Sequence, residues 1–252
     1  SFSPDGRFVA VASDDARNGK FAIRVYDLTR GVSARLTESG DNYGPKWSSD
    51  GKRVTYAANG FTSLYEVPAD GSAQPKLLRK GGFLVHWHWS RDGHLAFGTL
   101  KDGLPILEIY SDKDGSVKQL GPGVEAQFSP DGKWIAYIGQ GGAVGGGGIE
   151  VQSFEGSGKR IPISGPGGAQ PRWSRDGRRL FYLTPDRKMM AVDFDPTTGT
   201  AGLATILFQT RIAALNLSGF QYDVAADGRF LIYAFPAGDS SPLTVISGWK
   251  RQ

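Results

Sequence analysis

The chain contains no cysteine and no long apolar run. Without cysteine among its 252 residues, it has neither a disulfide framework nor a thiolate-ligated metal site, and either the cytosol or the periplasm suits it. No apolar run approaches the 18 residues that a membrane-spanning helix needs. We therefore expect no direct membrane insertion of this domain.

Charge of one sign is not concentrated anywhere, and helical periodicity is weak. The 29 basic and 25 acidic residues give a net charge of +4, with no block of five or six like charges. A nucleic-acid surface would need a basic stripe, so no nucleic-acid partner is expected. The 36 glycines and 14 prolines indicate many tight turns in an all-β chain.

Six Asp-Gly pairs recur at a regular spacing, with gaps of 45, 42, 39, 45 and 51 residues from Asp to Asp. Five of them follow an aromatic residue three positions ahead of the Asp. Self-similarity at this period marks a repeat architecture. The repeats are Phe2-Ser-Pro-Asp5-Gly6, Trp47-Ser-Ser-Asp50-Gly51, Trp89-Ser-Arg-Asp92-Gly93, Phe128-Ser-Pro-Asp131-Gly132, Trp173-Ser-Arg-Asp176-Gly177 and Val224-Ala-Ala-Asp227-Gly228.

Each repeat predicts four short strands. The aromatic residue ends the first strand, and Ser-x-Asp-Gly makes a tight turn in which Asp accepts backbone N–H groups and Gly supplies a positive φ. Three more strands follow, and four antiparallel strands per repeat are typical of a propeller blade. We predict one all-β domain over 1–252, a six-bladed β-propeller of four-stranded antiparallel blades. The blades are expected at about 1–37, 43–78, 85–120, 124–163, 169–209 and 219–249.

The first and last blades are expected to be incomplete. The first lacks most of its first strand, and only Lys250, Arg251 and Gln252 follow Trp249 where a fourth strand of the last blade would lie. We expect residues upstream of Ser1 to supply the missing strand. No signal peptide is visible, but the chain starts inside a repeat and without Met. We expect a monomer.

The Ser-x-Asp-Gly repeats resemble the WD40-like repeats of TolB-type six-bladed propellers. The segments 167–183, 206–212, 222–231 and 242–249 resemble the C-terminal propellers of bacterial, acidobacterial-type, membrane-bound serine/threonine protein kinases. This resemblance implies an extracytoplasmic sensor or interaction domain of a larger bacterial protein, and it carries no catalytic residues to transfer. The chain has no Gly-rich nucleotide loop, His-Arg-Asp loop or Asp-Phe-Gly motif, so the kinase itself is not part of it.

Aligning the repeats on Asp-Gly reveals two polar rows on the inner strands. With strand alternation, residues recurring at equivalent positions converge at a central channel. Either they hydrogen-bond one another and water in a filled channel, or they bind a protein, peptide or small-molecule ligand at its mouth. No cofactor is expected. The first polar row, six residues before each Asp, is His86, Glu125, Gln170 and Gln221, with Gly44 in the second repeat; the second polar row, four residues before, is Lys46, His88, Gln127, Arg172 and Asp223.

His86 and His88 allow two interpretations. Two residues apart on a strand, they share a face and could supply two metal ligands, with Glu125 or Gln127 completing a site, as in some sugar-cleaving propeller lyases. The other interpretation, which we favour, is a structural pair of satisfied histidines. The leading hypothesis is a non-catalytic binding module, and the alternatives are a metal-dependent lyase and a structural spacer.

Overall fold

The computed structural model describes the chain except residues 16–18, 39, 82–83, 102, 140–146, 156–157, 213–214, 216–219, 234–242 and 247–252. Its regular structure is β throughout, and none of the described segments forms a helix long and apolar enough to cross a membrane. The strands are β1 (Phe8–Asp15), β2 (Lys20–Asp27), β3 (Val32–Arg35), β4 (Tyr43–Trp47), β5 (Arg53–Ala58), β6 (Ser63–Pro68), β7 (Lys76–Lys80), β8 (Leu84–Trp89), β9 (His94–Lys101), β10 (Leu104–Ser111), β11 (Val117–Pro122), β12 (Val124–Phe128), β13 (Trp134–Ile138), β14 (Ile149–Ser153), β15 (Arg160–Pro162), β16 (Ala169–Trp173), β17 (Arg179–Leu183), β18 (Lys188–Asp195), β19 (Thr200–Ala201), β20 (Thr205–Gln209), β21 (Tyr222–Val224), β22 (Phe230–Tyr233) and β23 (Leu243–Ile246).

Consecutive strands pair into separate antiparallel sheets. The sheets are β1–β3, β4–β7, β8–β11, β12–β15, β16–β20 and β21–β23. In the first sheet Phe2 adds a further antiparallel bridge to Val9, and in the fifth both β19 and β20 pair with β18. The all-β propeller with four-stranded antiparallel blades is thereby confirmed.

The hydrophobic core lies between the sheets, and each apolar cluster joins one sheet to the next. The aromatic residue before each of the first five turns belongs to one of these clusters. A last cluster joins Phe2 and Val9 of the first blade to Ala225 and Leu231 of the sixth sheet, so the packing returns to its start. Each of the other clusters has members from two neighbouring sheets: Trp47 and Ala10 in one, Trp89 and Leu64 in another, then Phe128 and Ile109, Trp173 and Val151, and Phe181 and Tyr222.

The Ser-x-Asp-Gly turns are closed by their own side chains. In the first five repeats the Ser hydroxyl donates to the Asp carboxylate at 2.5–2.6 Å. The same carboxylate accepts a backbone N–H two residues on, as from Lys133 to Asp131 at 3.1 Å. The glycine lies in the left-handed region, with φ of 74° at Gly132. The turn chemistry predicted from the sequence is therefore confirmed.

Replacing Gly132 with valine tests this turn. A Cβ here would meet nothing closer than Asp92 Oδ1 at 3.6 Å, so the strain comes from placing a β-branched residue at φ 74°. We expect the free energy of unfolding to fall by about 1–3 kcal/mol, measured by urea denaturation. Gly165→Val is the matched control, because Gly165 has no left-handed φ and no atom within 4 Å of its Cβ position. An unchanged urea midpoint for Gly132→Val would contradict the assignment.

Candidate functional site

Four inner strands share an irregularity at the same aligned position. The first strands of successive sheets contact one another and so surround the centre of the propeller. In β4, β8, β12 and β16 the pairing register shifts by one residue. At this bulge lie Gly44, His86, Glu125 and Gln170, with φ of 58°, 48°, 59° and 58°. For a residue other than glycine this conformation costs about 1–2 kcal/mol, and such strain clusters at functional sites.

The first polar row forms a connected chain across four sheets. His86 Nε2 lies 3.7 Å from Glu125 Oε1, and both side chains are only 2% exposed. Glu125 Oε2 accepts the backbone N–H of Gln170 at 2.6 Å. Gln170 accepts the backbone N–H of Gln221 at 2.7 Å and donates its amide to the Gln221 side chain at 3.1 Å. The structure therefore brings together all four side chains of this row.

The second polar row is joined mainly through Arg172. Its guanidinium donates to Gln127 Oε1, and its Nε lies 3.3 Å from Asp223 Oδ1. Asp223 also accepts the backbone N–H of Phe2 at 2.7 Å. His88 Nδ1 accepts the backbone N–H of Phe128 at 3.1 Å. The amine of the remaining member, Lys46, makes no hydrogen bond or ion pair within the described part of the chain.

Phe220 joins the two rows, although neither row predicted it. Its ring centroid lies 3.8 Å from Arg172 Cζ, 4.9 Å from Lys46 Nζ and 5.3 Å from the His86 ring. These partners come from the second, third and fifth sheets, so Phe220 extends across the channel. The equivalent residue of the second repeat, Tyr43, instead stacks on Phe61 at 4.7 Å. An aromatic residue beside a polar row resembles ordinary core, so nothing in the sequence marked Phe220 as part of the site.

Burial dominates the titration of the acid and the amine in this channel. Burial raises the pKa of Glu125 to about 7, opposed by the Gln170 hydrogen bond and by Arg172. Burial and the Arg172 charge lower the pKa of Lys46 to about 7, opposed by Asp223. Both groups therefore titrate near neutral pH.

The other channel groups keep one protonation state near neutral pH. Burial, followed by the Lys46 and Arg172 charges, lowers the pKa of His86 to about 3, and similar causes lower that of His88 to about 3. Burial would raise the pKa of Asp223, but Arg172 and other charges lower it to about 2. Near pH 7 the histidines are thus neutral, and Asp223 is ionised.

The side chains of His86 and His88 do not share one face of the strand, although strand alternation predicts that they do. Left-handed His86 interrupts the alternation, because Val85 pairs with Gly98 and Trp87 with Phe97. His86 faces Glu125 and Phe220, while His88 stacks on Phe128 and uses Nδ1 as an acceptor. Within the described ranges no group of three or more His, Asp or Glu residues could hold a metal ion. The predicted set of His86 and His88 completed by Glu125 is therefore not assembled.

Comparisons with known proteins agree with a propeller of this type. No family model matches the chain. It is 27% identical over 94 residues to the protein TolB homolog of Chlorobium chlorochromatii, a match that covers 37% of this chain and 21% of that relative. The chain thus spans only about a fifth of the length of the curated relative.

Solved structures show the same fold at low sequence identity. The putative TolB from Agrobacterium tumefaciens superposes with a TM-score of 0.65 at 19% identity, covering 83% of this chain and 79% of that one. An oligogalacturonate lyase in complex with manganese superposes with a TM-score of 0.62 at 16% identity, covering 94% of this chain and 70% of that one. A functionally unknown protein from Desulfotomaculum acetoxidans superposes with a TM-score of 0.63 at 14% identity, covering 90% of this chain and 89% of that one. The closeness to kinase-associated propellers stays a prediction.

Proposed function

We propose that this chain is a non-catalytic binding domain, a sensor or scaffold that holds a ligand at the mouth of its channel. The observation that carries the proposal is the set of three left-handed residues, His86, Glu125 and Gln170. Each keeps a buried polar side chain at an aligned position where glycine would relieve the strain, as Gly44 does in the second sheet. Strain retained at three equivalent positions indicates selection for those side chains.

An incompletely satisfied histidine supports the same proposal. Both ring nitrogens of His86 are buried and lack a hydrogen-bond partner among the described residues. Buried polar groups in folded proteins are nearly always hydrogen-bonded. A bound molecule that contacts His86 would supply the missing partner, whereas a structural spacer would have no use for an unsatisfied imidazole.

We further propose that the domain is a closed ring of six blades. The support is the order of apolar clusters, which link successive sheets and then join the sixth sheet to the first through Phe2 and Leu231. The hydrogen bond from Phe2 N to Asp223 crosses the same junction. A rigid ring of this kind holds channel side chains in fixed geometry, which suits recognition.

The cellular context is proposed from the resemblance of the repeats. An extracytoplasmic domain of a larger bacterial protein, with a serine/threonine kinase upstream, fits the repeat segments and the partial TolB match. Reading the coding sequence upstream of Ser1 tests this directly. A kinase domain followed by a membrane-spanning helix is expected, and a leaderless gene starting at this propeller would contradict it.

Ligand binding is tested by thermal unfolding with panels of peptides, glycans and divalent ions at millimolar concentration. At least one class is expected to raise the melting temperature, because only the folded state binds. The increase should disappear in His86→Leu and persist in His94→Gln, which lies at an Asp-Gly turn. If no class shifts the melting temperature and pull-down recovers no partner, the binding function is wrong.

A metal-dependent lyase is the second candidate function. The observation in its favour is the fold similarity to an oligogalacturonate lyase in complex with manganese, together with two channel histidines. Against it, one nitrogen of His88 already accepts the Phe128 N–H. The metal content of the purified protein distinguishes the two functions. Stoichiometric manganese, iron or zinc that is lost in His86→Leu would favour the lyase.

A further inference from the structure

The channel contains more positive than negative charge. Lys46 and Arg172 both lie against the face of Phe220. Asp223 pairs with Arg172 and also accepts the Phe2 N–H, so its carboxylate is already committed. Lys46 forms no ion pair within the described part of the chain, although it is half-buried in the centre of the ring, and the Asp223 carboxylate acts on it only from beyond ion-pair distance. A desolvated amine without a counter-charge is unfavourable.

Hydrogen-bond donors accompany this excess charge. The His86 ring meets Phe220 edge-on at 5.3 Å, and neither of its nitrogens has a hydrogen-bond partner among the described residues. One nitrogen of a neutral imidazole carries a proton and can donate it in a hydrogen bond. Protonated Lys46, Arg172 and neutral His86 thus present two cations and one neutral donor around the Phe220 ring.

We propose that the ligand of this channel carries a carboxylate group, which binds beside Phe220 between Lys46, Arg172 and His86. The inference rests on the proposed binding function and specifies its ligand class. When Lys46 is protonated, it and Arg172 face one committed anion, Asp223, which leaves one positive charge to balance, and a carboxylate carries one negative charge. A phosphate monoester carries about 1.5–2 negative charges, which is more than this single positive charge balances.

The titration of Lys46 supplies an independent readout. Its pKa is lowered to about 7 by burial first and by Arg172 second, while Asp223 opposes the shift. The other titratable groups around it are Glu125, His86, His88, Tyr222 and the Ser1 amine, whose pKa is lowered to about 5 mainly by burial. A bound carboxylate favours protonated Lys46, so binding at pH 8 is expected to take up a proton. A neutral ligand at the same place would take up none.

The probes are sodium acetate, its neutral isostere acetamide, and inorganic phosphate, at constant ionic strength. Binding is followed by NMR titration of the ¹⁵N-labelled protein, and proton uptake by pH-stat titration at pH 8. Acetate is expected to bind at least tenfold more tightly than acetamide or phosphate. Lys46→Met should weaken acetate at least tenfold, Lys46→Arg should retain binding, and exposed Lys52→Met is the matched control.

The outcomes separate this inference from the proposed function. Equal binding of acetate and acetamide, no proton uptake, or unchanged acetate affinity in folded Lys46→Met would overturn the carboxylate assignment. If a neutral glycan or peptide stabilises the protein through His86 while acetate does not bind, the binding function stands and the carboxylate inference is wrong. If no probe of any class binds, both are wrong.

Discussion

Replacing Arg172 with methionine is expected to lower the free energy of unfolding by about 3–5 kcal/mol, as is typical when one partner of a buried ion pair is removed. Arg172 is only 5% exposed. It pairs with Asp223, donates to Gln127 and stacks on Phe220 at 3.8 Å. Methionine fills similar volume but leaves the Asp223 carboxylate without its main counter-charge.

Arg179→Met is the matched control for this experiment. Arg179 also pairs with an aspartate, Asp193, at 3.0 Å, but this pair lies at the surface. Its loss should change stability by about 0–1 kcal/mol. Adding Asp223→Asn to Arg172→Met should recover part of the lost stability, since the unpaired charge is removed. Equal effects of the two arginine variants in urea denaturation would show that the channel pair is not important for stability.

Acidification provides a second measurement on the same pair. Because the pKa of Asp223 is about 2 in the folded protein and ordinarily 3.8, its ionisation contributes stability above pH 3.8. That contribution is lost as the pH falls toward 2. In Arg172→Met the pKa should rise, and the difference in stability from the unmodified protein should shrink over this interval.

Replacing Glu125 with glutamine is expected to stabilise the protein by up to about 3 kcal/mol above pH 7, with no effect below pH 4.5. Burial raises the pKa of Glu125 from 4.5 to about 7. Between these values the unfolded chain loses a proton that the folded protein keeps, so stability falls as the pH rises. Glutamine cannot ionise, yet its amide oxygen can still accept the Gln170 N–H that Glu125 accepts at 2.6 Å.

The measurement is urea denaturation of both proteins at intervals from pH 4 to pH 8.5. The stability difference should grow from pH 4.5 to pH 7 and then stay constant. Glu155→Gln, at an exposed position, serves as the control for a change of net charge. A difference that is independent of pH would mean that Glu125 does not carry the raised pKa.

The blade architecture could be predicted from the sequence because its determinants are local. Ser129, Asp131 and Gly132 close their turn through contacts within five residues. Such a turn recurs wherever the motif recurs, and strand alternation then places the aromatic residue against the neighbouring sheet. The strand Trp134–Ile138 that follows this turn pairs without interruption with β14, from Trp134 opposite Ser153 to Ile138 opposite Ile149.

The site was predicted only in part. Alignment on Asp-Gly identified both polar rows. The structure connects the four side chains of the first row, but in the second row it joins only Gln127, Arg172 and Asp223 directly. The bulge at His86, Glu125 and Gln170 was missed, although Gly44 at the aligned position was a signal for a left-handed conformation. Phe220 was missed because its partners, Lys46, His86 and Arg172, lie 48 to 174 residues away in the sequence.

The sequence by itself determined the repeat, the turns and the residues that line the channel, because these depend on short-range hydrogen bonding and on the two-residue period of a strand. Only the tertiary structure decided which of those residues are paired and charged. Desolvation and the charges of other sheets determine whether Lys46 has an ion-pair partner, whether Arg172 pairs with Asp223, and whether Glu125 holds its proton. The distances between these charged groups are set only when the sheets pack around a common centre.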